Sequence, residues 1–115
     1  MNQQPIYKIV TEDEWQAARS AGAFRGAAVD LADGFIHFST AEQVEETAAR
    51  HFAGQANLLL VAVDSAALGD ALKYEPSRGG ALFPHLYGDL SFDAVLREKP
   101  LPVEGNGRHD FAGLL

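Results

Sequence analysis

A single small α+β domain is the fold this sequence predicts. Three observations lead there. The chain has 115 residues, which suits one core. Its elements read as strand, helix, strand, helix and then four strands, without the strict alternation of a doubly wound parallel sheet. No repeat, linker or low-complexity block divides it. Residues 1–103 are expected to form the domain, and 104–115 a tail that is mobile unless it docks through Phe111, Leu114 and Leu115.

Ile6-Tyr7-Lys8-Ile9-Val10 is β-branched and aromatic, a first strand. Thr11 with Glu14 forms a capping box for a helix to about Ala21, with Trp15 and Ala18 inward and Gly22 as its stop. Phe24 to Asp33 reads as loop. Gly34 to Phe38 is a short apolar strand. Ser39 with Glu42 and Thr40 with Gln43 are overlapping capping boxes for a second helix to about Phe52, and Gly54 sits where its stop belongs. Leu58 to Val63 is apolar on both faces, which places it centrally in a sheet. Ser65 to Gly69 is a turn, and Ala71 to Glu75 alternates as a strand. Leu82 to Tyr87 contains Pro84 and is assigned to an edge or irregular strand. Ser91-Phe92-Asp93 is a turn, and Ala94 to Glu98 a last strand stopped by Pro100 and Pro102.

Nine basic and sixteen acidic residues give a formal net charge of -7, and the basic residues are scattered. That disfavours nucleic acid and anionic membrane as partners. With no cysteine, disulfides, thiolate zinc sites and cysteine nucleophiles are excluded. The N-terminus lacks a basic flank and an apolar signal core, and no apolar run approaches the ~20 residues of a membrane span. The expectation is a cytoplasmic, bacterial-type protein, monomeric or weakly self-associating, with a small-molecule ligand.

Chemistry concentrates in two segments, Gly34-Phe35-Ile36-His37-Phe38-Ser39-Thr40 and Phe83-Pro84-His85-Leu86-Tyr87-Gly88. Each places a histidine in an apolar run, where burial is costly unless the ring nitrogens find partners. If Ile36 and Phe38 enter the core, His37 points the other way. It is then either a strand histidine bonded to a neighbouring carbonyl or a ligand-facing group, with Ser39, Thr40 and the helix amides beside it as anion binders or as plain N-caps. Tyr87 shares a face with His85, which is either a turn-supporting histidine or a second member of the same site. Glu75 precedes a Gly-rich loop holding Arg78; it is a general base or ribose-binding carboxylate on one reading and a solvated acid on the other. Tyr7 and Tyr74 offer faces for a flat ligand or serve as core aromatics. The histidines show no metal-ligand spacing, so a metal site made by the two histidines and Glu75 is the weaker idea and no metal ligand is assigned; there is no phosphate-loop motif. One shared site requires the two imidazoles within ~12 Å, the reach of a small-ligand cleft.

These segments, with Ile6-Tyr7-Lys8-Ile9 and Leu72-Lys73-Tyr74-Glu75, resemble the domain of unknown function 952 family over about Ile6 to Leu101. That family is similar, more remotely, to the ADP-ribosyltransferase superfamily, whose strand, Ser-rich helix start and long hydrophobic strand match the layout of Gly34 to Thr40 and Leu58 to Val63. The resemblance implies a split mixed or antiparallel sheet and NAD as the candidate cofactor. It puts His37 at the position of the aromatic residue that stacks on nicotinamide and Lys8, beside Tyr7, on the strand that meets the nicotinamide ribose. Glu75, or His85 by strand order, would stand for the catalytic glutamate, and Arg78 or the amides after Ser39 would hold phosphate. Cleavage at the ribose passes through an oxocarbenium-like state, which needs a stacking face and a nearby carboxylate. The lead expectation is a cleft lined by His37, Ser39, Glu75, His85 and Tyr87 that binds NAD or a similar ligand and acts at the ribose. The competing readings are a non-catalytic module binding a small molecule or protein, and a metal-assisted hydrolase.

Overall fold

Apolar alternation along Ile6–Thr11 splits the molecule into two cores, one on each face of a central sheet. The structure, a computed structural model, describes residues 4–115, with the backbone alone at Arg78. The chain runs β1 (Ile6–Thr11), α1 (Glu12–Ala21), α2 (Ala28–Asp33), β2 (Ile36–His37), β3 (Ser39–Thr40), α3 (Val44–His51), β4 (Leu58–Val63), β5 (Leu72–Pro76), β6 (Leu82–Leu86) and β7 (Val95–Leu101). Single 3-10 segments at Ser65–Ala71, Arg78–Gly80 and Phe92–Ala94 link the later strands. A four-stranded sheet has the order β3-β1-β4-β7 and a three-stranded sheet the order β2-β6-β5. Every pairing is antiparallel.

Ile6 and Val10 of β1 and Val61 and Val63 of β4 meet Ile36 and Leu86 of the second sheet in the larger core. Trp15 and Ala18 of α1 and Phe24 close it. Trp15 is 0% exposed, edge-on to Phe92 at 5.1 Å, and its Nε1 donates to Glu98 at 2.8 Å. The opposite parity, Tyr7 and Ile9 with Leu58, Leu60 and Ala62, packs against Val44 and Ala48 of α3. Phe111 and Leu114 of the tail lie on that second core, whereas Leu115 is exposed.

Local signals placed α1 well. Thr11 Oγ1 accepts from Glu14 N at 3.0 Å, Glu14 Oε1 accepts from Thr11 N at 2.7 Å, and Gly22 closes the helix in the left-handed region at φ 92°.

Four expectations are corrected. The expected loop before Gly34 contains α2. The expected strand Gly34 to Phe38 shortens to β2, and Ser39 and Thr40, expected as helix caps, form β3 in the other sheet; the chain steps between the two at Phe38, whose N–H donates to Pro84 O at 2.9 Å. β6 is the centre of its sheet and not an edge. Pro84 is tolerated because its carbonyl, and so its nitrogen, faces the point where β2 has already ended. β7 runs through Pro100, which a strand at the outer position of its sheet accommodates. In addition, α3 starts at Val44, after a turn in which Gln43 Oε1 accepts from Thr40 N at 3.0 Å.

Removing the first cap isolates a local contribution. Thr11→Ala is expected to lose about 1 kcal/mol in urea unfolding, with an unchanged denaturant slope. A loss below about 0.3 kcal/mol would show that tertiary packing holds this helix end without the cap.

Candidate functional site

Register brings the two histidines together. β2 pairs with β6 so that His37 lies opposite His85, and β6 pairs with β5 so that Lys73 lies opposite His85. Directly opposed residues share a face, and so do Glu75 and Tyr87, each two residues along its own chain. The ring centroids of His37 and His85 are 5.5 Å apart. Ile36 and Leu86, of the other parity, are core residues.

Each imidazole is held at Nδ1 by its own carboxylate. His85 Nδ1 lies 2.8 Å from Glu75 Oε1, which also accepts from the Tyr87 hydroxyl at 2.7 Å. His37 Nδ1 lies 2.6 Å from Asp30 Oδ1, and its Nε2 is 3.0 Å from Asp33 Oδ2. Phe35 packs over both rings. Its ring stacks on His85 at 4.2 Å and 30°, and stands 4.6 Å from His37 and 5.2 Å from Tyr87. Phe35 therefore lies against three of the side chains expected to line the cleft.

Residues 9–98 match the model of a protein family described as "Protein of unknown function (DUF952)". The chain belongs to the DUF952 family. The crystal structure of protein CC0527 from Caulobacter crescentus is similar at 53% identity and a TM-score of 0.91, covering 95% of this chain and 96% of that one. The solution NMR structure of CC0527 gives 53% identity and a TM-score of 0.86, covering 96% of each chain. No functionally curated protein matches the chain.

In this DUF952 domain the most heavily bonded side chain of the site, among the described residues, is Asp30, 1% exposed. Its carboxylate meets four donors: Lys8 Nζ at 3.0 Å, Ala27 N at 2.7 Å, His37 N at 3.1 Å and His37 Nδ1 at 2.6 Å. Burial alone would push Asp30 up; the His37 ring, the Lys8 charge and the two backbone amides outweigh it and hold the carboxyl down at about 2. Burial pulls the Lys8 ammonium down, against the raising effect of Asp30. The two shifts agree physically, because desolvation falls hardest on Lys8, whereas Asp30 gathers several donors. At the other dyad, the hydrogen bonds from His85 and then Tyr87 lower Glu75, and the Glu75 carboxylate raises the Tyr87 hydroxyl.

Of the residues expected at the site, His37, His85, Glu75 and Tyr87 come together, with Lys8 behind them as the partner of Asp30. Tyr7 does not. It is 2% exposed in the second core, on the opposite face of β1, and offers no face to a ligand. Ser39 pairs with Tyr7 across the strands and shares that face; it is buried, with its hydroxyl 2.8 Å from Thr47 Oγ1. Thr40 pairs with Ile6, and its N–H is taken by Gln43. The Arg78 side chain lies outside the described residues. Tyr74 has the parity opposite to Glu75.

Sequence reasoning missed Asp30, Asp33 and Phe35. Phe35 was findable, since it has the parity of His37 in the same motif. Among the described residues no group of three His, Cys, Asp or Glu converges as a metal site, and no helix is long and apolar enough to cross a membrane. A cavity of about 390 Å³ lies elsewhere, between α3 and the tail, lined by Glu45, Ala49, Arg108 and Phe111 among others.

Asp30 makes stability depend on acid. Its folded value of about 2 lies below the ordinary 3.8, so its contribution is complete above pH 3.8 and is lost as pH falls toward 2. The size is about 2 kcal/mol at 1.36 kcal/mol per unit. Urea unfolding from pH 6 to 2 should show the advantage of the natural protein over Asp30→Asn shrinking by that amount. A constant gap would refute the assignment.

Proposed function

We propose that this DUF952 domain binds a small nucleotide-like ligand over its two imidazoles, with NAD the foremost candidate, and acts at the ribose. One observation carries the reading. His85 is 5% exposed, its Nδ1 is fixed by Glu75, and its Nε2 has no protein partner among the described residues. With Nδ1–H donating to the carboxylate, the neutral ring presents a lone pair at Nε2. A buried acceptor of this kind calls for a donor, and a ribose hydroxyl or an attacking water supplies one.

The step follows from that lone pair. The bond from C1′ of the ribose to the nicotinamide nitrogen breaks, and nicotinamide leaves with the electron pair. The oxocarbenium-like centre takes the oxygen of water or of an acceptor hydroxyl. The proton from that oxygen passes to His85 Nε2, and Glu75 stabilises the imidazolium. His37 borders the ligand with Tyr87, Phe35 supplies the stacking face that Tyr7 cannot, and Arg78, on the loop after Glu75, holds phosphate. Two antiparallel sheets joined by the step at Phe38 support an ADP-ribosyltransferase-like split sheet. The proposed setting is the cytoplasm.

A second reading, a non-catalytic binding module, is favoured by the Phe35 ring lying on both imidazoles. NMR shift mapping with millimolar NAD and an assay of nicotinamide release separate the two. Shifts at His37 and His85 with turnover are expected, and His85→Ala should cut turnover by roughly 10²–10⁴-fold while the fold survives. Shifts without turnover assign the binding module. Unmoved His37 and His85 signals would sink both readings for NAD.

A further inference from the structure

The proposed chemistry uses His37 and His85 but leaves the most constrained group of the region, Asp30, without a task. Its contacts go beyond what the stability of a six-residue helix requires. The carboxylate holds both the backbone N–H and the ring Nδ1 of His37. Its own carbonyl accepts from Gly34 N at 2.8 Å and from Phe35 N at 3.2 Å. One residue thus sets the ring of His37 and the backbone from which Phe35 reaches over His85.

The chain also makes room for it. Gly26 has φ +121°, and a Cβ there would stand 2.7 Å from Asp30 Cβ. No side chain fits at position 26 without displacing the carboxylate. This constraint is independent of the hydrogen bonds and converges on the same residue.

We infer that Asp30 is the positioning residue of the site: it fixes the Nδ1–H form and the orientation of His37 and the placement of Phe35, with Lys8 as one of the four donors that hold its carboxylate in place. The groups facing His37 are Asp30 and Asp33 from α2 and His85 from β6, with Lys8 of β1 behind Asp30. The role deepens the site proposed above, yet it stands on protein contacts alone and is decided without NAD.

The test reads the His37 Nδ1–H resonance by NMR, its position and its exchange with water, at neutral pH. In the natural protein this proton should be far downfield and slow to exchange, as a hydrogen bond of 2.6 Å to a buried carboxylate demands. Lys8→Met should keep the resonance, since the carboxylate retains its other donors. Lys8→Met combined with Asp30→Asn removes both charges, so no buried cation is stranded, and should lose it. Gly26→Ala should shift it by a separate route. If the double variant keeps a slow downfield signal, or Lys8→Met alone abolishes it, the inference is overturned. If NAD binds, the double variant should weaken it by roughly ten- to a hundredfold relative to Lys8→Met. Failure of NAD to bind any of these proteins removes the functional reading, while the role of Asp30 is still decided by the resonance.

Discussion

A carboxylate at 1% exposure has to be satisfied on every side, and the neighbourhood of Asp30 is arranged around that demand. Lys8 points from β1 into the core between the two sheets, at a position where its flanking neighbours of equal parity are Ile6 and Val10. An ammonium there is tolerable only with an anion at contact distance. Asp30 is that anion, and it in turn needs further donors to remain ionised. The backbone of Ala27, the backbone of His37 and the ring of His37 complete its shell. The local fold follows: α2 is short and turned inward at its third residue, Gly34 ends it in the left-handed region, and β2 begins where the carboxylate can reach it.

The two imidazoles are chemically unequal as a result. His37 meets carboxylate oxygens at both nitrogens, one buried and one half-exposed. His85 meets a carboxylate at one nitrogen only. The pair therefore offers a ring with a carboxylate at each nitrogen beside a ring with a carboxylate at Nδ1 alone among the described residues, in face-sharing register on adjacent strands. An acid–base division of labour needs two similar groups with different environments, and here the difference arises from where the carboxylates sit: on the preceding helix for His37 and on the next strand for His85.

Much of this was legible in the chain and some was not, for physical reasons. α1 was readable because its capping box is local, and β4 because a run apolar on both faces fits only the inside of a sheet. Two histidines placed alike in one small domain suggested a shared site, but strand pairing between distant segments is not written locally; register brings the rings to 5.5 Å. Asp30 was invisible because α2 has no side-chain cap before it: Ala27 contributes only its N–H, and the acid that caps the helix lies within it. The pattern of an acid three residues after the helix entrance, followed by glycine at position 34, was the available trace. Pro84 misled because the rule against central prolines assumes a neighbour along the whole strand, and β2 is two residues long.

The same shortness explains why an aromatic ring covers the chemistry. A two-residue strand pairs only Ile36 and His37 with β6. Phe35, one residue earlier, has the parity of His37 but no partner in the ladder, so its ring is free to lean toward β6. It settles on the face of His85, at a centroid distance of 4.2 Å. A buried acceptor left unpaired is costly, and an apolar ring lowers none of that cost. The arrangement is stable because the cost is met by the hydrogen bonds at Nδ1 and by burial of the Phe35 face. It leaves the energy of one missing hydrogen bond at Nε2 available to whatever molecule brings a donor there.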